Sequence, residues 1–134
     1  MNRMRQEVSS GTPWEATVGY SRAVRVDRHI FVSGTTASDE NGQTMFVGDA
    51  YQQAKFILAK IAAVLAEVGA NVADVTRTRM FVTDISQWEK IGRAHGEVFG
   101  EIRPAATMVE VSRLINPEHL VEIEVDAVLT RESQ

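Results

Sequence analysis

Three carboxylates stand at every second position near the end of the chain. Glu122, Glu124 and Asp126 interleave with Val121, Ile123, Val125 and Ala127. Alternation at period two marks a strand with two unlike faces, so the three acids share one face. Carboxylates in a row repel, and they need water, cations or hydrogen-bond donors beside them. Such a face can supply a general base, attract a hard cation, or stand as a polar surface. Taken alone, the polar surface is the ordinary outcome. No coordination set surrounds the acids, so no metal is expected.

Other reactive side chains offer less. There is no cysteine, which excludes disulfides, thiolate catalysis and cysteine-ligated zinc. His29, His95 and His119 are far apart and form no ligand spacing. His95, at helical spacing from Ile91 and Phe99, reads as packing, and His119 after Asn116-Pro117 reads as part of a strand connection. Ser33 precedes a single glycine, with no nucleophile elbow and no histidine partner.

The elements that position the acids follow from periodicity and turn chemistry. The stretch Arg103–Val128 holds two alternating segments. In the first, Ala105, Thr107, Val109 and Val111 interleave with Ala106, Met108 and Glu110, and Pro104 punctuates before it. Val75–Thr83 (VTRTRMFVT) is rich in strand formers. It puts Thr76, Thr78, Met80 and Val82 on one face and Arg77, Arg79 and Phe81 on the other. Nearer the start, Met4–Val8 is a short strand candidate and Ser9–Pro13 reads as loop. Trp14 in that loop is a packing anchor or an interface residue. Val24 and Val26 alternate with Arg25, with Ala23 out of step. His29–Thr35 (HIFVSGT) follows across a hairpin at Asp27-Arg28. Asn41-Gly42 predicts a turn with positive φ at both positions, then a short strand over Thr44–Val47.

Two helices are predicted. Asp49 caps the first, with Gln52 completing a capping box, and Ala54, Ile57, Leu58, Ile61, Leu65 and Val68 form its apolar stripe. Gly69 ends it. After a turn at Asn71–Asp74 and the Val75–Thr83 strand, Ser86 with Glu89 starts a second helix through Phe99, closed by Gly100. Ile91, His95, Val98 and Phe99 are its buried stripe. The order is three or four strands, helix, strand, helix, strand, strand. That is an α+β fold with a mixed sheet and two helices on one face. The other face is expected to carry Arg77, Arg79, Phe81, Met108, Glu110 and the three carboxylates. A face that mixes Phe and Met with charges reads as an oligomer interface with polar clefts.

Composition sets the remaining bounds. At 134 residues, 1–134 is read as one domain, long enough for a core without metal or disulfide staples. The net charge is −4, so nucleic acid is a poor expected partner. No apolar run approaches a membrane helix, so no membrane partner is expected either. The beginning, MNRMRQEVSS, has no apolar signal region, which predicts cytoplasmic residence.

Four motifs in order resemble the RidA family, also called YjgF or L-PSP endoribonuclease-like proteins. They are Val18-Gly19-Tyr20-Ser21 and Phe31-Val32-Ser33-Gly34. Then come Asp74-Val75 leading to Thr78-Arg79-Met80-Phe81-Val82-Thr83-Asp84, and Arg103-Pro104-Ala105 through Val109-Glu110-Val111 to Val121-Glu122-Ile123-Glu124. No single motif is specific; their order over more than a hundred residues is. The resemblance implies a chorismate-mutase-like (RidA-type) α+β fold. It implies a homotrimer whose sheets form a central barrel with helices outside and a cleft between subunits. It also implies the activity of the best-known members, hydrolysis of reactive enamines and imines such as 2-aminoacrylate to 2-keto acids and ammonia, without a cofactor.

Residue by residue, the resemblance assigns the water-positioning carboxylate to Glu122. It places Tyr20, Ser33 and Gly34 at the pocket and gives the Met108 backbone N–H a role in holding a substrate carboxylate. It departs at Ala106, where deaminase members have arginine. A charge-assisted hydrogen bond is worth about 1.5–3 kcal/mol, so its loss weakens carboxylate binding roughly 10- to 100-fold. Gly92 replaces an asparagine and His95 an aromatic. Arg79 either substitutes for the missing guanidinium or pairs with Glu110 or Glu124; the ion pair is favoured. The expected ligand is a small imine or carboxylate. The functions in view are deaminase-type hydrolase, non-catalytic binding or regulatory trimer and, least supported, ribonuclease.

Overall fold

A computed structural model describes residues 5–130 of the chain. Its elements are β1 (Arg5–Val8), β2 (Ala23–Val26), β3 (His29–Thr35), α1 (Ala50–Glu67), β4 (Val75–Val82), α2 (Trp88–Phe99), β5 (Ala105–Glu110) and β6 (Val121–Val128). Met4, the first residue of the predicted strand Met4–Val8, lies outside the described residues. The six strands form one sheet in the order β1-β2-β3-β6-β4-β5. Every pairing is antiparallel except β4 with β5, which the α2 crossover makes parallel.

Both helices pack on one face. The apolar stripe of α1 is fully buried there, with Ile57, Ile61 and Leu65 at 0% exposure against Ile30, Ile123 and Val125. Each such side chain contributes roughly 1.5–3 kcal/mol by leaving water. α2 adds Ile91, Ala94 and Phe99. Asp49 caps α1 by accepting from the Gln52 N–H at 3.0 Å.

Several local expectations are corrected. Ala23 is the core residue of β2, while Val26 is 40% exposed on the uncovered face. Ala23 faces Val32 in register, so the out-of-step alanine is the one in step with the core. Thr44–Val47 is no strand: a lone bridge joins Ser38 to Thr44, and Phe46 turns the chain at φ 54°. Gly42 has φ 81°, but Asn41 is not left-handed. Asp39 Oδ1 accepts from the N–H groups of Asn41 and Gln43, closing the turn without it. Ser86 does not cap α2. Asp84 accepts from the Ser86 N–H in a short 3-10 turn that leads into the helix. Gly100 stays helical at φ −56°, and Arg103, at φ 59°, makes the reversal instead. Pro13 and Trp14 belong not to a loop but to a helical turn that continues as a π-turn over Glu15–Gly19, with Trp14 64% exposed.

Candidate functional site

The uncovered sheet face is built by β4 and β6 in register. Phe81 faces Glu122, Arg79 faces Glu124 and Arg77 faces Asp126. Arg79 is an ion-pair residue: its Nη1 lies 3.1 Å from Glu124 and 3.3 Å from Asp126. Those two acids therefore have the cation their repulsion demands, and Glu122 is left outside the pair.

Glu122 is held differently. It is partly buried, and burial pushes its carboxyl above the ordinary range; nearby Arg22 opposes that and Glu124 adds to it. Its carboxylate lies flat on Gly34. A Cβ at Gly34 would sit 2.9 Å from the carboxyl carbon and overlap Oε2, so a side chain there fits only if the carboxylate moves. Arg22 reaches the same place, donating from Nη2 to the Gly34 carbonyl at 2.6 Å, with its guanidinium carbon 5.8 Å from the centre of the Tyr20 ring. The result is a partly desolvated carboxylate beside a cation, with its proton affinity raised above that of a solvated glutamate.

Tyr20 and Ser33 line an open cavity of about 690 Å³ with Glu15, Phe31, Glu124 and Asp126. Glu122 lies outside that lining, over the glycine that follows Ser33. Ser33 donates its hydroxyl to the Ser21 carbonyl at 2.7 Å, so it shapes the wall rather than offering a nucleophile. Glu15 was not singled out by the sequence reading. It is buried, and its carboxylate accepts from the hydroxyls of Ser9 and Ser10 and from the Ser10 N–H. Ser10 and Glu15 meet because Pro13 starts a helical turn between them, a signal present in the sequence as Pro at a first helical position.

Ala106 and Met108 do not join this group within one chain. The parallel register sets Ala106 beside Thr78 and Met108 beside Met80, on the helix-covered side. Glu110 likewise stands beside Val82 and accepts from the Ile85 N–H at 2.9 Å. The expectation that Met108 and Glu110 share a face with Arg77 and Arg79 is thus overturned, and an Arg79–Glu110 pair with it. Ala106 is exposed on the edge strand. Behind it, Thr78 Oγ1 and His95 Nε2 are 2.9 Å apart, and the His95 ring rests on Phe99 at 4.7 Å between centroids. Among the described residues no cluster of three or more His, Asp or Glu could hold a metal, and no helix is long and apolar enough to cross a membrane.

Comparison with known proteins agrees with this architecture. Residues 11–129 match the family model described as endoribonuclease L-PSP. An uncharacterised protein of Streptomyces coelicolor is 36% identical over 91% of this chain and 90% of its own length. The 3-aminoacrylate deaminase RutC of Acinetobacter baylyi is 35% identical over 84% of this chain and 88% of its own. Among solved structures, Rv2704 of Mycobacterium tuberculosis, a member of the YjgF/YER057c/UK114 family, superposes with a TM-score of 0.86 at 47% identity. That match covers 94% of this chain and 100% of the other. The chain belongs to this endoribonuclease L-PSP family, the YjgF or RidA proteins.

Proposed function

We propose that the protein is a cofactor-free deaminase of small reactive enamines and imines, with Glu122 as the base that positions water. The observation that carries this reading is the partly desolvated Glu122 carboxylate on Gly34 beside Arg22. An enamine tautomerises to its imine. Water then adds to the C=N carbon while Glu122 takes a proton from it, and the proton passes to nitrogen. The carbinolamine loses ammonia and leaves a carbonyl compound. The relative named 3-aminoacrylate deaminase supports an enamine as the substrate class.

The same reading includes a homotrimer. Glu122 and Ala106 stand on opposite faces of one sheet, so one chain supplies two half-sites that meet only between copies. Exposed Phe31, Val26 and Val109 on the uncovered face favour such burial.

A second reading, a non-catalytic binding trimer, is favoured by Ala106, which offers no guanidinium to a substrate carboxylate. The test is release of ammonia from freshly generated 2-aminoacrylate and from 3-aminoacrylate. Turnover by wild type and its loss in Glu122→Gln support the deaminase. Ligand binding without turnover supports the second reading. Light scattering tests the assembly, and a stable monomer removes the intersubunit cleft.

A further inference from the structure

The chain leaves the sheet from the end of β3 onward, and carbonyls there lose their ladder partners. Register shifts between Val32 and Thr35, so the chain bulges at Ser33-Gly34. Two cations take up the freed acceptors. Arg22 donates to the Gly34 carbonyl at 2.6 Å. Lys60, from α1, donates to the carbonyls of Thr36 and Ser38, both at 2.8 Å. Three alternate carbonyls of one five-residue segment are therefore held by two side chains from different parts of the fold. Gly34, at the start of that segment, is the surface on which the Glu122 carboxylate rests.

This arrangement opposes the charges' own preferences. Lys60 is half-buried, and burial, with repulsion from Arg22 and a smaller offset from Asp39, brings it down to about 8. His119 also faces it, buried and with Nε2 unpartnered. Two cations crowd one segment where a lysine is costly to bury, and each is met there by its own backbone carbonyls, Gly34 for Arg22 and Thr36 and Ser38 for Lys60.

We propose that Arg22 and Lys60 are positioning residues for Glu122: together they clamp the carbonyls of Gly34, Thr36 and Ser38 and so fix the backbone under its carboxylate. Arg22 touches both ends of the device, bonding Gly34 and acting on Glu122 electrostatically. Lys60 acts only through the segment. The catalytic consequence rests on the reading of Glu122 as the base; the structural one does not.

The decisive variant is Lys60→Met, which keeps the stem and removes the donor. The readout is the titration of the Glu122 carboxyl carbon by 13C NMR, assigned by its absence in Glu122→Gln. Simple loss of a neighbouring positive charge raises an acid's midpoint. Release of the segment admits water to the carboxylate and lowers it. The expected result is a fall of about 0.5 pH unit or more toward the ordinary value, reversed in Lys60→Arg. Where turnover is found, kcat falls roughly tenfold with KM little changed, because misplacement costs rate. If Lys60→Met does not fold, Lys60→Gln gives a smaller fall of the same sign. A midpoint that rises or stays overturns the clamp. A fallen midpoint with no wild-type turnover keeps the clamp and removes the base. Turnover lost in Glu122→Gln with no response to Lys60→Met keeps the base and removes the clamp.

Discussion

Gly34 and Glu122 are fitted to each other so closely that a single methyl at residue 34 would overlap Oε2. The glycine is not there for left-handed backbone. It is there because a carboxylate occupies the space where a side chain would begin.

Gly34→Ala therefore displaces the carboxylate rather than the chain. The alanine methyl meets the far end of a side chain, which can swing away, so the overpacking cost is expected near the low end of roughly 1–3 kcal/mol. Activity is expected to fall about 100-fold, since a shift of the order of an ångström in a reacting group has that effect. Enamine hydrolysis and urea unfolding on the same variant separate the two. A fully active Gly34→Ala protein would show that Glu122 is not the base.

The burial that raises the Glu122 carboxyl also works against folding. Its folded pKa lies above the 4.5 of an unperturbed glutamate. Between those values the native state holds a proton that the unfolded state has lost, so stability declines as pH rises through that window and stays lower above it. Glu122→Gln removes this penalty. Its melting temperature relative to wild type is expected to rise from below pH 4.5 towards neutrality. A constant difference across that range would mean that the carboxylate is solvated.

A second titrating group runs in the opposite sense. Burial lowers His95 below its usual 6.5, so its neutral form is the folded one at neutral pH. Stability is then present above 6.5 and lost as pH falls through the lower folded value. Thr78, fully buried, is the hydrogen-bond partner of Nε2. Thr78→Val preserves shape and leaves that nitrogen without its partner, for an expected loss of about 1–3 kcal/mol. Urea unfolding at neutral pH measures it, and a neutral substitution would mean that water replaces the hydroxyl.

The sequence disclosed the acidic face but not how the faces meet. Alternation at Glu122, Glu124 and Asp126 is unambiguous because every intervening residue is apolar and buried. Alternation at Ala105–Glu110 defines two faces without saying which is covered. That depends on the parallel register imposed by α2, which puts Met108 and Glu110 on the side of Met80 and Val82, away from Arg77 and Arg79. Asp49 was legible as a cap because its partner is three residues away. Arg22 and Lys60 were not, because their carbonyl partners lie 12, 24 and 22 residues away along the chain. Ala23 misleads for a different reason: a four-residue strand is too short for its period to outvote a small side chain.

Ala106 is the position where substrate choice and assembly are tested together. It is exposed on the edge strand, beside Thr78 and on the opposite side of the sheet from Glu122. An arginine placed there has room to extend, and within one chain it cannot reach the Glu122 carboxylate through the sheet. Only a neighbouring copy can bring the two together. Ala106→Arg is therefore expected to raise kcat/KM for 2-aminoacrylate about 10- to 100-fold, the worth of a charge-assisted bond to the substrate carboxylate. The gain should appear mainly in KM, since the guanidinium grips a group that does not react. It should vanish in mixed assemblies whose neighbouring subunits carry Glu122→Gln. A gain that persists with the two substitutions forced into the same cleft, or an unchanged rate in a variant that light scattering finds to be a trimer, would show that the half-sites do not meet as proposed.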